Sequence, residues 1–310
     1  MAISQPEPRL DRPAAVAVRS RRSGRTGDTT DQLGRLESAL RYILYAAVTL
    51  FLIVPFLLTV LSSFKTSAEV IAYPPTLLPS VWHPENYVRV FQETGNFPRQ
   101  TFNSFAVTLG IVVINLFFDA LVGYAFARLR FPGRDFLFAL MLGTMVIPGF
   151  VFFVPRYIIL QHMPSLGSSG WINTYAALLV LFFVQPSFIF LMTQFFKSIP
   201  RDLEEAALID GLGWFGIFWK IILPVARPAL LTVGILAFAG AWNDFLDWVI
   251  FMQTPDMFNI QLGLSSFKQV YQNQWDLIMA GSVVAIIPIL VVYVAGSRYF
   301  TRGIATTGLK

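Results

Sequence analysis

Residues 205–228 read EAALIDGLGWFGIFWKIILPVARP and lie between two long apolar runs. Glu204, Glu205, Ala206 and Ala207 are strong helix formers that follow Pro200 and Asp202, a proline and an acid of the type that caps helix N-termini. A short helix capped by Asp202 is predicted to start here. Asp210-Gly211 is a turn signal, because glycine tolerates the left-handed conformation that ends a helix. Helical spacing resumes over residues 214–223 with apolar Phe215, Phe218, Ile221 and Ile222, and Leu223-Pro224 closes it. The unit at about 200–224 is therefore helix, turn, helix. It is too polar at its start for a bilayer and too apolar on one face for water, so it calls for a protein partner.

The rest of the chain is suited to lipid. Apolar residues make up 55% of it, charged residues only 13%, and the mean hydropathy is +0.61; soluble domains carry about 25% charged residues. The fold class expected is all-α, a polytopic membrane protein. A spanning helix needs about 20 mostly apolar residues, and six runs qualify: 40–62, 102–126, 136–159, 175–196, 228–251 and 278–300. Pro55, Pro148, Pro155, Pro186 and Pro288 fall inside these runs. Membrane helices accept such prolines when neighbouring helices satisfy the freed carbonyls, and the predicted kinks suit a pathway that moves.

Basic residues set the expected orientation. With the N-terminus inside, the inner loops hold the Arg-rich N-terminal segment, then Arg128, Arg130 and Arg134, then Lys197, Arg201, Lys220 and Arg227, then Arg298, Arg302 and Lys310. The outer loops hold only Lys65, Arg89, Arg99, Arg156 and Lys268. This excess is expected to place both termini and the 200–224 unit in the cytoplasm. Residues 1–34 are rich in Arg, Ser, Gly, Pro and Asp with almost nothing to bury, so residues 1–38 are expected to form a disordered cytoplasmic tail and residues 39–310 the six-helix domain. The tail suits anionic lipid head groups, not nucleic acid. The first apolar run exceeds a signal-peptide core and no small-residue cleavage site follows it, so it is expected to remain as a helix.

Catalytic chemistry finds little to work with. There is no cysteine, which excludes disulfides, thiolate metal sites and cysteine nucleophiles. His83 and His162 fall in predicted outer loops without catalytic duty, and no phosphate-binding G-x-x-x-x-G-K-[ST] loop occurs. No catalytic residue, metal site or bound cofactor is expected, and any ATP hydrolysis belongs to a partner.

The 205–228 stretch resembles the EAA signature of bacterial ABC-importer membrane subunits, carried here by Glu205, Ala206, Ala207, Asp210, Gly211, Ile221, Leu223, Pro224 and Pro228. Leu212 stands where that family often has a small residue. Resemblance to carbohydrate-type importer permeases (maltose, multiple-sugar and glycerol-phosphate types) runs from about Tyr42 to the C-terminus. It includes GYAFARLRFPGR at 123–134, FFKSIPRDLEEAALIDG at 195–211, AWNDF at 241–245 and RYFTRGIATTGLK at 298–310. The resemblance implies a half-pore: two related permease subunits enclose the pathway, two ATP-binding subunits holding ATP and Mg bind beneath, and an extracytoplasmic solute-binding protein delivers a sugar from above. It further implies that the EAA element is a coupling helix docked on the ATPase, with Glu205 pairing to a base there, Ala206 and Ala207 permitting close approach, Gly211 making the turn, and Leu223 and Pro224 anchoring the next span.

Ionisable groups inside lipid point to cavities or partners. Trp242, Asn243, Asp244 and Trp248 are the solute-path candidates, since carboxylates and amides accept from sugar hydroxyls and aromatic faces pack on pyranose rings. The alternative for Asn243 and Asp244 is that they cap or cross-link helices. Asp119 either faces the pathway, pairs with a base of the other subunit, or approaches Arg128 through water; a structural pair is favoured. Asn115 and Gln185 read as interhelical hydrogen bonds. The competing class is an ion-coupled secondary carrier, which calls for ionisable relays and inverted repeats that the sequence does not display.

Overall fold

The computed structural model describes residues 27–93, 96–164, 170–270 and 274–307, and these contain helices and turns but no strand. They divide into two units, residues 1–56 and 57–310. The first unit is built on α1 (Gly27–Ser62), which continues into the second. Its helix begins at Gly27, inside the segment expected to be tail up to residue 38, because a helix nucleated by the apolar run propagates outward at little cost. Residues 1–26 of the expected tail lie outside the described residues.

After α1 the chain forms a loop region with two short helices, α2 (Ser67–Val70) and α3 (Asn86–Gln92). Its backbone groups are satisfied by side chains. Asn86 donates to the Ser63 and Lys65 carbonyls at 3.0 and 2.9 Å, the Lys65 ammonium donates to the Thr76 carbonyl, and Arg89 pairs with Asp276 at 2.9 Å and with Glu93 at 2.9 Å. These contacts hold the loop to the start of the last helix. The Ser80 N–H donating to Glu69 at 2.8 Å holds that carboxyl below its ordinary range, and His83 does the same for Glu85.

The central element is α4 (Phe97–Arg128), an unbroken apolar helix of 32 residues. It is followed by α5 (Arg134–Thr144), α6 (Phe153–His162), α7 (Tyr175–Leu181) and α8 (Pro186–Ser198). Then come α9 (Asp202–Ile209), α10 (Trp214–Ile217), a π-helical turn at Phe218–Ile222, α11 (Leu223–Val225) and α12 (Arg227–Asn243). The chain closes with α13 (Leu246–Phe251), α14 (Ile260–Val270) and α15 (Trp275–Thr307). Within the second unit, α4 packs against α8 and α12, and α12 against α15.

Three helices are long and apolar enough to span a membrane unbroken, and three bent pairs bring the number to six if each is one span. The pairs are Arg134–Thr144 with Gly149–His162 at 97°, Tyr175–Leu181 with Pro186–Ser198 at 45°, and Trp214–Val225 with Arg227–Asn243 at 80°. Six spans were expected as six runs, and the structure replaces half of them by bent pairs. Pro148 precedes the Gly149–Phe152 turn and Pro186 opens α8, so both mark breaks, where a missing N–H costs least. Pro155 lies in the first turn of α6, whose amides have no intrahelical partner anyway. Pro55 and Pro288 stay inside continuous helices. The run expected at 228–251 also breaks, between Asn243 and Leu246.

The α7–α8 break frees backbone groups in the middle of the bundle, and α4 supplies their partners. Asn115 Nδ2 donates to the Phe182 carbonyl at 2.6 Å, and Asp119 Oδ1 accepts from the Gln185 N–H at 3.0 Å. The two side chains sit one turn apart on the same face of α4, so they bracket the break. Asp119 is fully buried and its partner is this backbone, not Arg128. Further along, Gly123 lets α8 approach so closely that a Cβ would meet Met192 Cβ at 2.9 Å.

Two outcomes follow. Asn115→Leu and Asp119→Leu each orphan a buried backbone group and are expected to lower stability by about 1–3 kcal/mol, read as a drop in melting temperature in detergent, while Phe118→Leu changes it far less. In the outer loop, Glu69 and Glu85 titrate lower when folded than their ordinary value of 4.5, so their contribution is present above that pH and is lost as pH falls below it. Limited proteolysis between residues 66 and 85 should accelerate below pH 4.5 and be unchanged between pH 6 and 8.

Candidate coupling site and solute pathway

The helix predicted at the start of the 200–224 unit is α9, and its first turn carries Asp202, Glu204 and Glu205, which suit the positive end of the helix dipole. Asp202 is the first helical residue rather than the cap; Arg201 occupies that place without a side-chain hydrogen bond. At the other end the Gly211 N–H donates to the Leu208 carbonyl and the Leu212 N–H to the Ala207 carbonyl, both at 3.0 Å. This pair of bonds is a Schellman motif, and it requires the left-handed residue that Gly211 supplies at φ +83°. Leu212 is the apolar residue that such a motif sends back toward the helix. Its side chain lies on Gly216, where a Cβ would come within 3.1 Å of Leu212 Cδ2.

Helical geometry then divides the EAA-like residues between two faces. Ala207 is buried in a core with Tyr124, Phe196, Ile217, Phe218 and Ile222. Glu205, Ala206 and Asp210 are exposed, and Ile209 is 86% exposed beside exposed Trp214 and Phe215. Among the apolar residues expected to face inward, Phe218 and Ile222 are buried and Phe215 is not, its place being taken by Ile217. Leu223 packs against the same core, while Pro224 is exposed in the short α11. The Leu223 N–H reaches back to the Phe218 carbonyl, a π-type bond that precedes Pro224 and the 80° turn into α12.

Glu204, read from the sequence only as a helix former, is the residue that ties α9 to the bundle. It is 5% exposed, and its Oε1 lies 2.7 Å from Nε of Arg128, which is 7% exposed in the last turn of α4. The contact is ionic rather than an aligned hydrogen bond. Arg128 Nη2 also donates to the Ile199 carbonyl at 2.6 Å, where α8 ends. One guanidinium thus joins the ends of α4 and α8 to the start of α9. A cavity of about 540 Å³ opens beside this pair, lined by Arg130, Arg201, Glu205 and Trp214 among others. Sequence reasoning missed the pair because the two residues are far apart in the chain and neither stands in a recognisable ionic pattern.

The solute-path candidates are divided as well. Trp242 is fully buried, stacks on Phe238 with ring centroids 5.6 Å apart and donates its indole N–H to the Ala285 carbonyl at 2.9 Å. Trp248 is buried against Tyr175. Both rings are taken up in packing within this chain. Asn243 is exposed and bonds back to the Ala239 carbonyl at 3.0 Å. Asp244 sits in the break after α12; its backbone carbonyl accepts from Asn259 at 2.7 Å, and its Oδ1 accepts from the Asp247 N–H at 3.4 Å. Asp244 Oδ2 and Asp247 Oδ1 are buried acceptors with no hydrogen bond among the described residues. A separate cavity of about 380 Å³ lies at the two other breaks, lined by Thr144, Gly149, Arg156, Gln185 and Ser187 among others. Arg156, half-buried and carried over the Phe152 ring at 5.7 Å, lines this cavity, a place the sequence did not single out.

The two neighbouring glutamates should respond in opposite ways to truncation. Glu204→Ala leaves a buried guanidinium unpaired and is expected to cost about 3–5 kcal/mol, whereas Glu205→Ala on the exposed face should stay within about 0.5 kcal/mol. Thermal melting of the purified variants checks this.

Comparison with known proteins agrees with this architecture. Residues 120–306 match the family described as binding-protein-dependent transport system inner membrane component. The arabinooligosaccharides transport system permease protein AraQ of Halalkalibacterium halodurans is 34% identical over 268 residues, covering 86% of this chain and 94% of the relative. The diacetylchitobiose uptake system permease protein NgcG of Streptomyces coelicolor is 33% identical over 264 residues, covering 84% and 85%. In fold, the chain is similar to a chain of the crystal structure of a bacterial ABC transporter involved in the import of the acidic polysaccharide alginate, with a TM-score of 0.75 at 24% identity over 86% of this chain and 97% of that one. An all-helical bundle of bent spans, a clamped helix with one exposed face at its end, and these matches lead to one conclusion: the chain belongs to the family of binding-protein-dependent transport system inner membrane components, the multi-pass permease subunits of ABC transporters.

Proposed function

We propose that this permease forms one half of the solute pathway of an ATP-driven sugar importer, and that α9 is the coupling helix through which an ATPase subunit drives it. The observation that carries the reading is the exposed face of α9, where Glu205, Ala206, Ile209 and Asp210 stand free beside Trp214 while Glu204 and Ala207 fix the opposite face. An exposed apolar and acidic surface on a well-anchored helix is what a protein partner requires. The relatives named for oligosaccharide uptake support a sugar as the solute.

In this reading a sister permease supplies the other half of the pathway, two ATP-binding subunits carry ATP and Mg²⁺, and an extracytoplasmic binding protein delivers the sugar. Residues 1–38 and the C-terminus lie in the cytoplasm with α9, as the basic residues around α9 and at the end of α4 favour. Glu205 pairs with a base of the ATPase, Ala206 allows its close approach, and Ala207, Gly211, Leu223 and Pro224 hold the element to the bundle. Asn243, which is exposed, and Asp244 contribute to the solute path at the break after α12, an amide and a carboxylate being groups that suit sugar hydroxyls. Trp242, Trp248 and Asp119 support that wall from behind. ATP-driven closure of the ATPase moves the solute only if the α9 contact differs in free energy between the inward-open and outward-open states.

The test is sugar uptake by proteoliposomes holding the co-purified complex. Glu205→Lys should abolish ATP-driven uptake and lower the yield of bound ATPase, with melting temperature unchanged. Unaltered uptake and assembly would remove Glu205 from coupling.

A further inference from the structure

The element that a partner would push is joined to its neighbours in unequal ways. Helix α9 continues into α8 through residues 199–201 and into α12 through α10 and α11, so those two spans follow it by chain connection. The central span α4 has no such connection. It meets α9 through Arg128 and Glu204, both at least nine-tenths buried and 2.7 Å apart, with Arg128 holding the Ile199 carbonyl at the same time. Nearby apolar contacts, such as the Tyr124 ring on Phe218 with centroids 5.2 Å apart, tolerate sliding. A buried ion pair does not, because any slip leaves a charge without its partner.

Stability alone gives little reason for these charges, since well-packed apolar residues often serve a buried site as well or better. What charges add is a fixed register between two elements. The pair also lines the cavity flanked by Glu205, so it lies directly under the face where an ATPase would load α9. We infer that Arg128 and Glu204 are positioning residues that form a clamp through which displacement of α9 is passed to α4, making the central span move with the coupling helix. Arg128 suits this task because its planar fork serves two partners from one side chain, which a lysine ammonium does less well. Because α4 also brackets the α7–α8 break through Asn115 and Asp119, a motion delivered at its Arg128 end reaches the middle of the bundle. This inference rests on the coupling role proposed for α9.

The test uses the purified complete transporter. Glu204→Gln keeps the side-chain shape and removes the charge; it is expected to leave assembly and ATP hydrolysis near wild type while sugar moved per ATP falls about ten-fold, the scale on which coupling free energies act. Arg128→Lys should give an intermediate loss, and exchanging the charges in the double variant Arg128→Glu with Glu204→Arg should restore part of it. Because the chain has no native cysteine, spin labels on Leu203→Cys in α9 and Leu109→Cys in α4 report the clamp directly. The label distance should be narrow in otherwise wild-type protein and broadened by Glu204→Gln. Hydrolysis and uptake falling in equal proportion, unchanged transport per ATP, failure of every variant to assemble, or an unbroadened distance would overturn the clamp. A wild-type complex that moves no sugar would count against the proposed function, and the label distances would still decide the clamp.

Discussion

Inside a bilayer every backbone amide and carbonyl must find a partner within the protein, and this bundle meets that constraint through one helix. Five polar side chains spaced along α4 serve the backbone of other segments. Asn103 donates to the Asp256 and Phe258 carbonyls, Ser104 accepts from the Ile260 N–H, Asn115 and Asp119 take the two sides of the α7–α8 break, and Arg128 holds the end of α8. Without these groups the breaks would carry buried unpaired backbone, and the bent spans would have to straighten. The bends, and whatever motion they permit, depend on α4.

The same economy shapes the end of the bundle that carries α9. An eight-residue helix is too short to hold itself together in water. It is stable here because its ends and one face are fixed: first-turn acids oppose the dipole, a Schellman motif closes the C-terminus, Ala207 enters the core and Glu204 meets Arg128. The residue after each inward one points elsewhere, since successive helical side chains turn by about 100°. Glu205 and Ala206 are thereby held out rigidly, which is the state a partner needs if little ordering entropy is to be lost on docking.

Beyond α9 the chain passes through a π-helical turn before Pro224 and bends by 80° into α12. A π turn widens the helix and leaves room for a proline whose missing N–H cannot continue the ordinary ladder. The linkage from α9 to α12 is thus a shaped elbow packed by Ile217, Phe218 and Ile222, and not a loose connector.

Much of this was legible in the residues. Lipid solvent, six hydrophobic runs, and the helix-turn-helix with its glycine turn follow from composition, run length and local conformational preference, which act within a few neighbouring residues. The misreadings were long-range in origin. A tryptophan in an apolar run reads equally as a sugar platform or as packing, and only the neighbours Phe238 and Ala285 decide for Trp242. Prolines announce possible breaks, yet Pro148 and Pro186 stand at breaks while Pro55 and Pro288 do not, and at Pro186 the groups that break frees are met by α4, which local sequence does not announce. The sequence by itself determined the solvent, the helices and the helix-turn-helix at α9 and α10, since these rest on local chemistry. The tertiary structure alone decided which of two adjacent glutamates is buried and which is offered outward, because that choice depends on where α4 places Arg128.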